Sequence, residues 1–338
     1  MSDPAPNADP LVTVRDLTVQ FTGGPAPVRA VNGVSFELAR GEVLGVLGES
    51  GSGKSVSLRA LLRILPPRRS RIAGSISVAG RDVLAMNNAE LGFYRGGTTS
   101  MIFQEPMLAF DPVYTVGVQI AESVMRHTGA GEAAARKRAL EMLEVVQIPS
   151  AARRLDAYPH EMSGGMRQRA MIALALACKP QLLLADEPTT ALDTTVQIQI
   201  LLLLRELQRE FGMSVIFVTH DVGVVAEIAD RVAVMYAGRM VEIGPVAEVV
   251  LRPQHPYTQG LLSSTIHGSM RGTRIDAIPG APPNLAALPP GCSFAPRCKH
   301  ARDDCRARIP ALTQLGAAHA AACVLLQSTV PSTTAAPA

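Results

Sequence analysis

The sequence predicts an α/β protein with a parallel sheet at its centre. Residues 43–47 form a continuous apolar run that ends in a Gly/Ser-rich loop, and residues 55–65 then space their leucines as a helix does. This strand–loop–helix unit is typical of parallel α/β folds. Two further apolar runs, residues 181–185 and 214–219, are separated by a helix with one apolar face, residues 194–211. A hydrophobic fraction of 47% in 338 residues supplies a large core, which excludes a mostly disordered chain.

Antiparallel strands are predicted on both sides of this unit. Apolar and polar residues alternate over 11–21, and a second strand is expected at 33–38 after a Gly/Pro turn. Residues 231–236 and 240–243 are predicted to form a hairpin, because the Ala-Gly pair between them favours a tight turn. The fold class therefore includes an antiparallel β subdomain beside the parallel sheet.

A helical subdomain is predicted as an insertion at about residues 105–163. Helical spacing is found at 116–127 and 132–146, and Gly129 and Gly131 separate the two helices.

These patterns divide the chain into four parts. We expect a disordered leader at 1–10, an α/β domain at 11–252, a proline-rich C-terminal extension with four cysteines at 253–326, and a disordered tail at 327–338.

Charge and composition exclude several classes of protein. The net charge of +3 is too small to make nucleic acid the default partner. The first ten residues hold two acidic residues and three prolines with no apolar run behind them, unlike a secretory signal. The longest purely apolar run, residues 171–178, is far shorter than the roughly 18 residues that a membrane span needs. We therefore expect a cytosolic chain without a membrane span.

Residues 48–55 match the pattern G-x-x-x-x-G-K-[ST] of a phosphate-binding loop, the Walker A motif. The glycines let backbone N–H groups wrap a phosphate, and the helix N-terminus that follows adds partial positive charge. Lys54 is expected to reach the β- and γ-phosphates and Ser55 to ligate Mg²⁺. A flexible Gly/Ser turn is the alternative, but it does not explain the flanking strand and helix. The predicted ATP contacts in this segment are Gly48, Glu49, Ser50, Gly51, Ser52, Gly53, Lys54, Ser55 and Val56.

Two adjacent acidic residues, Asp186 and Glu187, end the apolar strand that begins near residue 181. Charge at the end of a buried strand is unfavourable unless a cation or a substrate compensates it. Neighbouring side chains on a strand point to opposite faces, so the two carboxylates can do different work. We expect Asp186 to hold Mg²⁺ and Glu187 to orient or deprotonate an attacking water. An ordinary strand end or helix cap is the alternative.

A second candidate phosphate contact is the start of an apolar helix, where Ser163, Gly164, Gly165 and Met166 stand. Helix starts present free N–H donors to anions. A plain N-cap is the alternative reading.

The order of these motifs resembles the nucleotide-binding subunits of ATP-binding cassette (ABC) transporters over about residues 11–253. The order is the phosphate loop, the Ser-Gly-Gly segment, the Asp-Glu strand end, Ala191-Leu192-Asp193 and His220 after a buried strand. The resemblance implies an ABC-type P-loop ATPase core in which two chains clasp ATP. The segment 163–166 of one chain then meets the γ-phosphate held by the other.

The resemblance also assigns roles to single residues. Gln104 contacts Mg²⁺ and the attacking water, so Ser55, Gln104 and Asp186 are the implied Mg²⁺ ligands. His220 contacts the γ-phosphate and joins Glu187 and Gln104 as the implied catalytic residues. Phe21 stacks on adenine, and Asp193 communicates across the dimer. The alternatives are a surface Gln, a strand-end His and a core Phe.

Further motifs resemble one branch of this family, the ATP-binding subunits of oligopeptide and dipeptide permeases. They are the segment 159–169 with Met166 in place of the common Gln, His255-Pro-Tyr-Thr258, Ile278-Pro-Gly280, and the Gly-Cys-x-Phe-x-Pro-Arg-Cys segment at 291–298. Importers of nickel or glutathione share this extension and remain an alternative. The branch implies a heterodimer with a second ATPase subunit, two transmembrane permease subunits and an extracytoplasmic solute-binding protein. It also implies a peripheral place on the cytoplasmic face of the membrane.

The four cysteines of the extension have three possible states. Cys292, Cys298, Cys305 and Cys323 are separated by five, six and seventeen residues, without the C-x-x-C spacing of common zinc sites. Four cysteines suffice for a [4Fe-4S] cluster, which the resemblance implies for some members. Zinc with His319 as a substitute ligand, and free thiols or adventitious disulfides, are the alternatives.

Basic residues surround these cysteines. The first interpretation is a solvated face, and the second is a patch that offsets thiolate charge or meets lipid headgroups. The residues are Arg297, Lys299, Arg302, Arg306 and Arg308.

Two other functions stay open at this stage. A soluble ABC ATPase acting on DNA or ribosomes would show tandem cassettes, a long coiled coil or a strongly basic surface, and the sequence has none of these. A sensing module that does not turn over ATP is disfavoured by the intact Lys54, Glu187 and His220.

Overall fold

The computed structural model describes residues 9–189, 193–264 and 278–327. Most of the predicted leader and nearly all of the predicted tail lie outside the described residues, as do Ala191 and Leu192. The described strands are β1 Val12–Phe21, β2 Val28–Leu38, β3 Val43–Leu47, β4 Ser70–Val78, β5 Arg81–Asp82, β6 Thr99–Ile102, β7 Leu182–Asp186, β8 Ser214–Thr219, β9 Arg231–Tyr236, β10 Arg239–Pro245, β11 Thr313–Gln314 and β12 Ala320–Ala321.

The α-helices follow the predicted pattern, with short additions. α3 and α4 end within one residue of the predicted bounds, whereas α1 ends four residues early, shortly before Arg63 takes a left-handed backbone conformation. The described helices are α1 Lys54–Leu61, α2 Asn88–Phe93, α3 Val116–Thr128, α4 Glu132–Val145, α5 Ala151–Arg154, α6 Gly164–Leu176, α7 Thr194–Phe211, α8 Val222–Ile228, α9 Val246–Leu251, α10 Pro256–Ser263, α11 Asp303–Ala307 and α12 Val324–Gln327.

The larger sheet confirms the predicted parallel α/β architecture. Strands β9, β3, β8, β7 and β6 lie side by side in that order, and each neighbouring pair is parallel. β10 returns antiparallel to β9 through Ala237 and Gly238, whose φ angles of 50° and 76° suit a tight hairpin turn. Helices cover the sheet, so its central strands are buried on both faces. Val43 and Leu47 face one apolar core, and Leu44 and Val46 face the other.

The smaller sheet is antiparallel, with the order β2-β1-β4-β5. β2 begins five residues before the predicted strand because β1 offers a long partner, pairing from Phe21 with Val28 to Val12 with Leu38. β4 was not predicted, since its sequence contains glycine and serine, which favour strands poorly. Pairing with β1 imposes the extended conformation on it.

The C-terminal extension continues the larger sheet. β12 pairs with β10, and β11 pairs with β12. Glu242 of β10 is fully buried, and its carboxylate accepts hydrogen bonds from the backbone N–H groups of Gln254 (2.8 Å) and His255 (2.9 Å). The same carboxylate lies 2.8 Å from Nε2 of His319. One buried carboxylate therefore anchors both ends of the extension.

Across the residues that the structure describes, no helix is both long and apolar enough to cross a bilayer.

His255 gives stability a pH dependence. Its Nδ1 accepts the Tyr257 N–H at 3.0 Å and caps α10, and burial lowers its pKa to about 4 from the usual 6.5. Between pH 6.5 and 4 only the unfolded chain takes up this proton, so the free energy of unfolding falls as the pH falls. We predict that His255→Asn, which keeps a capping oxygen but does not titrate, shrinks the loss of stability between pH 7 and 4.5 by about 2–3 kcal/mol.

Urea unfolding at pH 7 and at pH 4.5 measures the loss of stability in the unchanged chain and in His255→Asn. Titratable groups other than His255 contribute equally to the loss in the two proteins. An equal loss of stability in the variant and in the unchanged chain would contradict the assignment.

Candidate functional site

The phosphate-binding loop, residues 48–55, connects β3 to α1 at the carboxyl edge of the larger sheet. Two of its glycines are required by close packing. A Cβ on Gly53, whose φ is 101°, would overlap the Ala30 carbonyl oxygen, and a Cβ on Gly48 would overlap the Met235 carbonyl oxygen. The loop is therefore pressed against β2 and β9, and its path is fixed before any ligand arrives.

Lys54 lies inside this loop. Its Nζ donates to the carbonyl oxygens of Gly48 (2.7 Å) and Glu49 (2.9 Å), and the side chain is buried. Burial lowers the pKa of Lys54, while the carboxylates of Glu187, Asp186 and Glu49 act in the opposite direction. The result is a positioned ammonium group at the mouth of a loop shaped to hold anions.

Ser55 and Asp186 supply oxygen donors next to Lys54. The Ser55 hydroxyl donates to Oδ1 of Asp186 at 2.6 Å, and Arg59 lies 3.8 Å from the other carboxylate oxygen. Burial raises the pKa of Asp186, and the contacts with Ser55 and Arg59 oppose that rise. A hydroxyl and a 1% exposed carboxylate are the hard oxygen ligands that Mg²⁺ prefers, so these residues fit the cation.

Glu187 brings the three predicted catalytic side chains together. Gln104 Nε2 donates to one of its carboxylate oxygens at 3.4 Å, and His220 Nδ1 lies 3.3 Å from the other. The backbone of Glu187 is left-handed, with φ of 47°, and its N–H donates to the Val218 carbonyl oxygen at 3.0 Å. A non-glycine residue in this conformation costs about 1–2 kcal/mol, a strain found most often at functional sites.

Within the part of the chain that the structure describes, the hydrogen bonds of the segment 163–166 are local. Ser163 caps α6, and its Oγ accepts the Met166 N–H at 3.3 Å, while Ser163 and Gly164 are exposed. Gly165 lies against Val196 of α7, whose N–H donates to the capping carboxylate of Asp193 at 3.0 Å. Among the described residues no hydrogen bond or ion pair joins the segment to the phosphate loop of the same chain.

Phe21 lies outside this group of contacts. It ends β1, is half-buried and packs on the core formed between the two sheets. Its backbone pairs with Val28 and Ser70. The adenine-stacking role stays a prediction.

Sequence reasoning misjudged Arg297, which it placed on a solvated or lipid-facing surface. The structure corrects this, because the Arg297 side chain is 5% exposed and forms two hydrogen bonds with the Glu49 carboxylate, 2.7 and 3.0 Å long. The two residues are 248 positions apart, so no local pattern could have revealed the pair. Arg306, in contrast, is exposed and pairs with Asp303.

The four extension cysteines are free thiols, and they lie close enough to influence one another electrostatically. The Cys292 N–H donates to the Cys305 carbonyl oxygen at 2.7 Å, and both side chains belong to one small apolar cluster. Burial raises the pKa of Cys292, Cys298 and Cys323, which favours the protonated thiol. Within the described parts of the chain no three His, Cys, Asp or Glu side chains are arranged to hold a metal ion.

The predicted [4Fe-4S] cluster therefore finds no support, and the thiols as arranged do not fit a metal ligand set. The zinc alternative finds no support on the same ground, and Nε2 of His319 lies 2.8 Å from the buried Glu242 carboxylate.

Comparisons with known proteins agree along the chain. Residues 31–190 match the family model described as "ABC transporter". Residues 241–305 match the model described as "Oligopeptide/dipeptide transporter, C-terminal region".

Two curated relatives cover nearly the whole chain. The dipeptide transport ATP-binding protein DppD of Bacillus subtilis is 47% identical over 93% of this chain and 94% of its own length. The oligopeptide transport ATP-binding protein OppD of Salmonella typhimurium is 49% identical over 90% of each chain.

Solved structures give the same fold. The dimeric post-hydrolysis state of the ATP-binding cassette MJ0796, bound to ADP and Pi, superposes with a TM-score of 0.62 at 29% identity, covering 70% of this chain and 98% of that one. The cbiO1 protein of Clostridium perfringens, part of the complex cbiONQ, also has a TM-score of 0.62, at 28% identity over 72% and 92% of the two chains.

The packing of Gly53 predicts a measurable loss of nucleotide binding. Gly53→Ala should lower the affinity of the full chain for a fluorescent ATP analogue by at least about 10-fold, because the added Cβ overlaps the Ala30 carbonyl oxygen and displaces the loop. Gly41→Ala is the matched control, since Gly41 also has a positive φ but a Cβ there meets no atom within 4 Å. The control should lose stability and keep its affinity; equal affinities in the two variants would contradict the packing argument.

Proposed function

The chain belongs to the ABC transporter ATP-binding subunits of the oligopeptide and dipeptide branch, and we propose from this that it hydrolyses ATP to power the import of peptides. The observation that carries the proposal is the contact set around Asp186 and Glu187. Ser55 of the phosphate loop binds the first carboxylate, and Gln104 and His220 meet the second. A phosphate site, a cation site and a candidate base thus share one edge of the sheet.

Each residue then has a chemical task. Lys54 exchanges its carbonyl partners for phosphate oxygens. Ser55, Gln104 and Asp186 would hold Mg²⁺, which neutralises charge on the phosphates when it is bound. Glu187 orients a water and accepts its proton, while Gln104 and His220 keep the carboxylate aimed. His220 is 62% exposed, which leaves it free to reach the γ-phosphate.

The chain acts with a second ATPase subunit. Ser163 and Gly164 are exposed at the start of α6, among the described residues the segment 163–166 makes no hydrogen bond to the phosphate loop of its own chain, and a helix start suits phosphate oxygens of a nucleotide on another chain. The dimeric state of the related MJ0796 cassette supports this arrangement. Asp193 would contact the partner subunit across the dimer, together with neighbouring residues of which 190–192 lie outside the described residues.

The remaining partners follow from the family. The proposed complex contains a distinct second ATPase subunit, two transmembrane permease subunits and an extracytoplasmic solute-binding protein, and the chain sits peripherally on the cytoplasmic face of the membrane. The names of DppD and OppD support dipeptides or oligopeptides as cargo. Nickel, glutathione and soluble ATPase functions are not favoured. An iron–sulfur cluster forms no part of the proposal.

Replacement of the proposed base tests the chemistry. In the complex with its partner subunits, Glu187→Gln should reduce phosphate release at least about 100-fold because the amide does not accept the proton from water. ATP binding should stay within about 2-fold of the unchanged chain. Glu248→Gln, a change of a half-exposed glutamate on α9 that pairs with Arg252, is the control and should leave turnover unaffected. Unaltered hydrolysis by Glu187→Gln would refute the assigned base.

A charge at the helix cap tests the composite site. Ser163→Asp keeps a capping side chain on α6 but places a negative charge where the partner's γ-phosphate is proposed to bind. We expect at least about a 10-fold loss of turnover in the complex, with the ATP affinity of the isolated chain within about 2-fold.

Ser163→Asn is the neutral control, because it caps the helix equally well without the charge. If Ser163→Asp lowers the ATP affinity of the isolated chain as much as it lowers turnover in the complex, the segment contacts the nucleotide of its own chain. That result would contradict the proposed composite site.

A further inference from the structure

Three motifs of the C-terminal extension have no role in the site described above. They are the segment 255–258, the segment 278–280 and the cysteine-flanked segment 291–298. The structure brings the first and the third motif to one residue of the phosphate loop, Glu49, through Tyr257 and Arg297. The second motif supports this contact indirectly, because the Pro279 carbonyl oxygen accepts a hydrogen bond from Arg297.

Every polar group of Glu49 is engaged. Its N–H donates to the Tyr257 hydroxyl at 2.8 Å. Its carbonyl oxygen accepts from Lys54 Nζ at 2.9 Å and from the Ser52 N–H at 3.2 Å. Its carboxylate accepts from both terminal nitrogens of Arg297. The loop residue that holds the Lys54 ammonium is therefore itself held by the extension.

Arg297 has little freedom to move. Its Nε donates to the Pro279 carbonyl oxygen at 2.9 Å, one of its terminal nitrogens lies 3.3 Å from the Tyr236 hydroxyl, and its guanidinium lies 5.8 Å from the Tyr236 ring centre. The Glu49 carboxylate raises the pKa of Arg297, so the guanidinium keeps its charge. A two-point Arg–carboxylate contact fixes orientation as well as distance.

Three aromatic side chains, Tyr236, Tyr257 and Phe294, pack beside this contact. The rings of Tyr236 and Tyr257 are 4.6 Å apart, and Phe294 packs on them at 5.2 and 5.4 Å. Tyr257 is fully buried, and burial raises its pKa, so its hydroxyl stays protonated. Interlocked rings give the Glu49 partners a rigid base.

The charge of Glu49 makes this support necessary for nucleotide binding. A free carboxylate in the phosphate loop would repel phosphates at short range. Pairing with Arg297 neutralises that charge. Loss of Arg297 would therefore both release the loop and expose the repulsion.

We propose that the C-terminal extension is a brace for the phosphate loop, in which Arg297 and Tyr257 are positioning residues that set the affinity for ATP through Glu49. The proposal rests on the proposed function, since it assumes that this loop binds the nucleotide. It gives the three motifs a shared task within the reaction.

The test separates affinity from chemistry. Arg297→Gln should raise the KM for ATP of the assembled complex by about 10-fold or more and leave kcat within about 2-fold, because the base and the cation ligands are untouched. Arg297→Lys keeps the charge and loses the two-point geometry, so its KM for ATP should lie between those of the unchanged protein and Arg297→Gln. Adding Glu49→Gln to Arg297→Gln should recover most of the lost affinity by removing the unpaired carboxylate. Arg306→Gln is the control, an exposed arginine of the same extension.

A second variant keeps the proposal testable if Arg297→Gln does not fold. Tyr257→Phe keeps the ring and removes only the hydroxyl that receives the Glu49 N–H, so it should raise KM about 3-fold or more at unchanged kcat. Tyr94→Phe is its matched control, because the Tyr94 hydroxyl is also buried but donates to the Leu61 carbonyl oxygen at the C-terminal end of α1 rather than to the phosphate loop.

The outcomes are distinct. Folded Arg297→Gln and Tyr257→Phe chains with lower melting temperatures and a KM within 2-fold of the unchanged protein would reduce the brace to a purely structural contact and overturn the proposal. Lys54→Ala, measured alongside, reports on the proposed function. If it still binds ATP normally, the function itself is wrong, and if it loses binding while the brace variants do not, only the brace is wrong.

Discussion

Parallel pairing of β3, β8, β7 and β6 is the constraint on which the rest of the molecule depends. Neighbouring parallel strands end at the same edge of a sheet, so the loops that follow them must meet. The phosphate loop follows β3, His220 follows β8, Glu187 follows β7, and Gln104 comes shortly after β6. Burial of these strands on both faces fixes their register, and with it the distances between side chains that are far apart in sequence.

Charge is balanced within this edge. Two acidic side chains, Asp186 and Glu187, stand beside two basic ones, Lys54 and Arg59. The buried Asp186 is stabilised by the Ser55 hydroxyl and by Arg59, as buried carboxylates require. The resulting site is preorganised, since its polar groups already have partners that phosphate and cation can replace.

The C-terminal extension is in direct contact with the ATPase core of the family. These motifs served first to classify the chain, yet two of them contact Glu49 inside the phosphate loop and the third contacts Arg297 beside it. Their second anchor is the buried Glu242, which binds His319 and the backbone at the start of α10. Core and extension therefore share one polar and aromatic framework.

The sequence by itself determined the parallel α/β class, the phosphate loop, the acidic strand end and the transporter family, because apolar periodicity and short motifs are local properties. The sequence left open which residues meet. The contacts among Gln104, Glu187 and His220 arise only when separate strands end together, and the Arg297–Glu49 pair joins residues 248 positions apart. Local composition made Arg297 look like one of several surface cations, and four cysteines in one segment looked like a metal site. Tertiary packing buried the arginine against a carboxylate, and within the described parts of the chain it brings no metal-binding group together at the thiols.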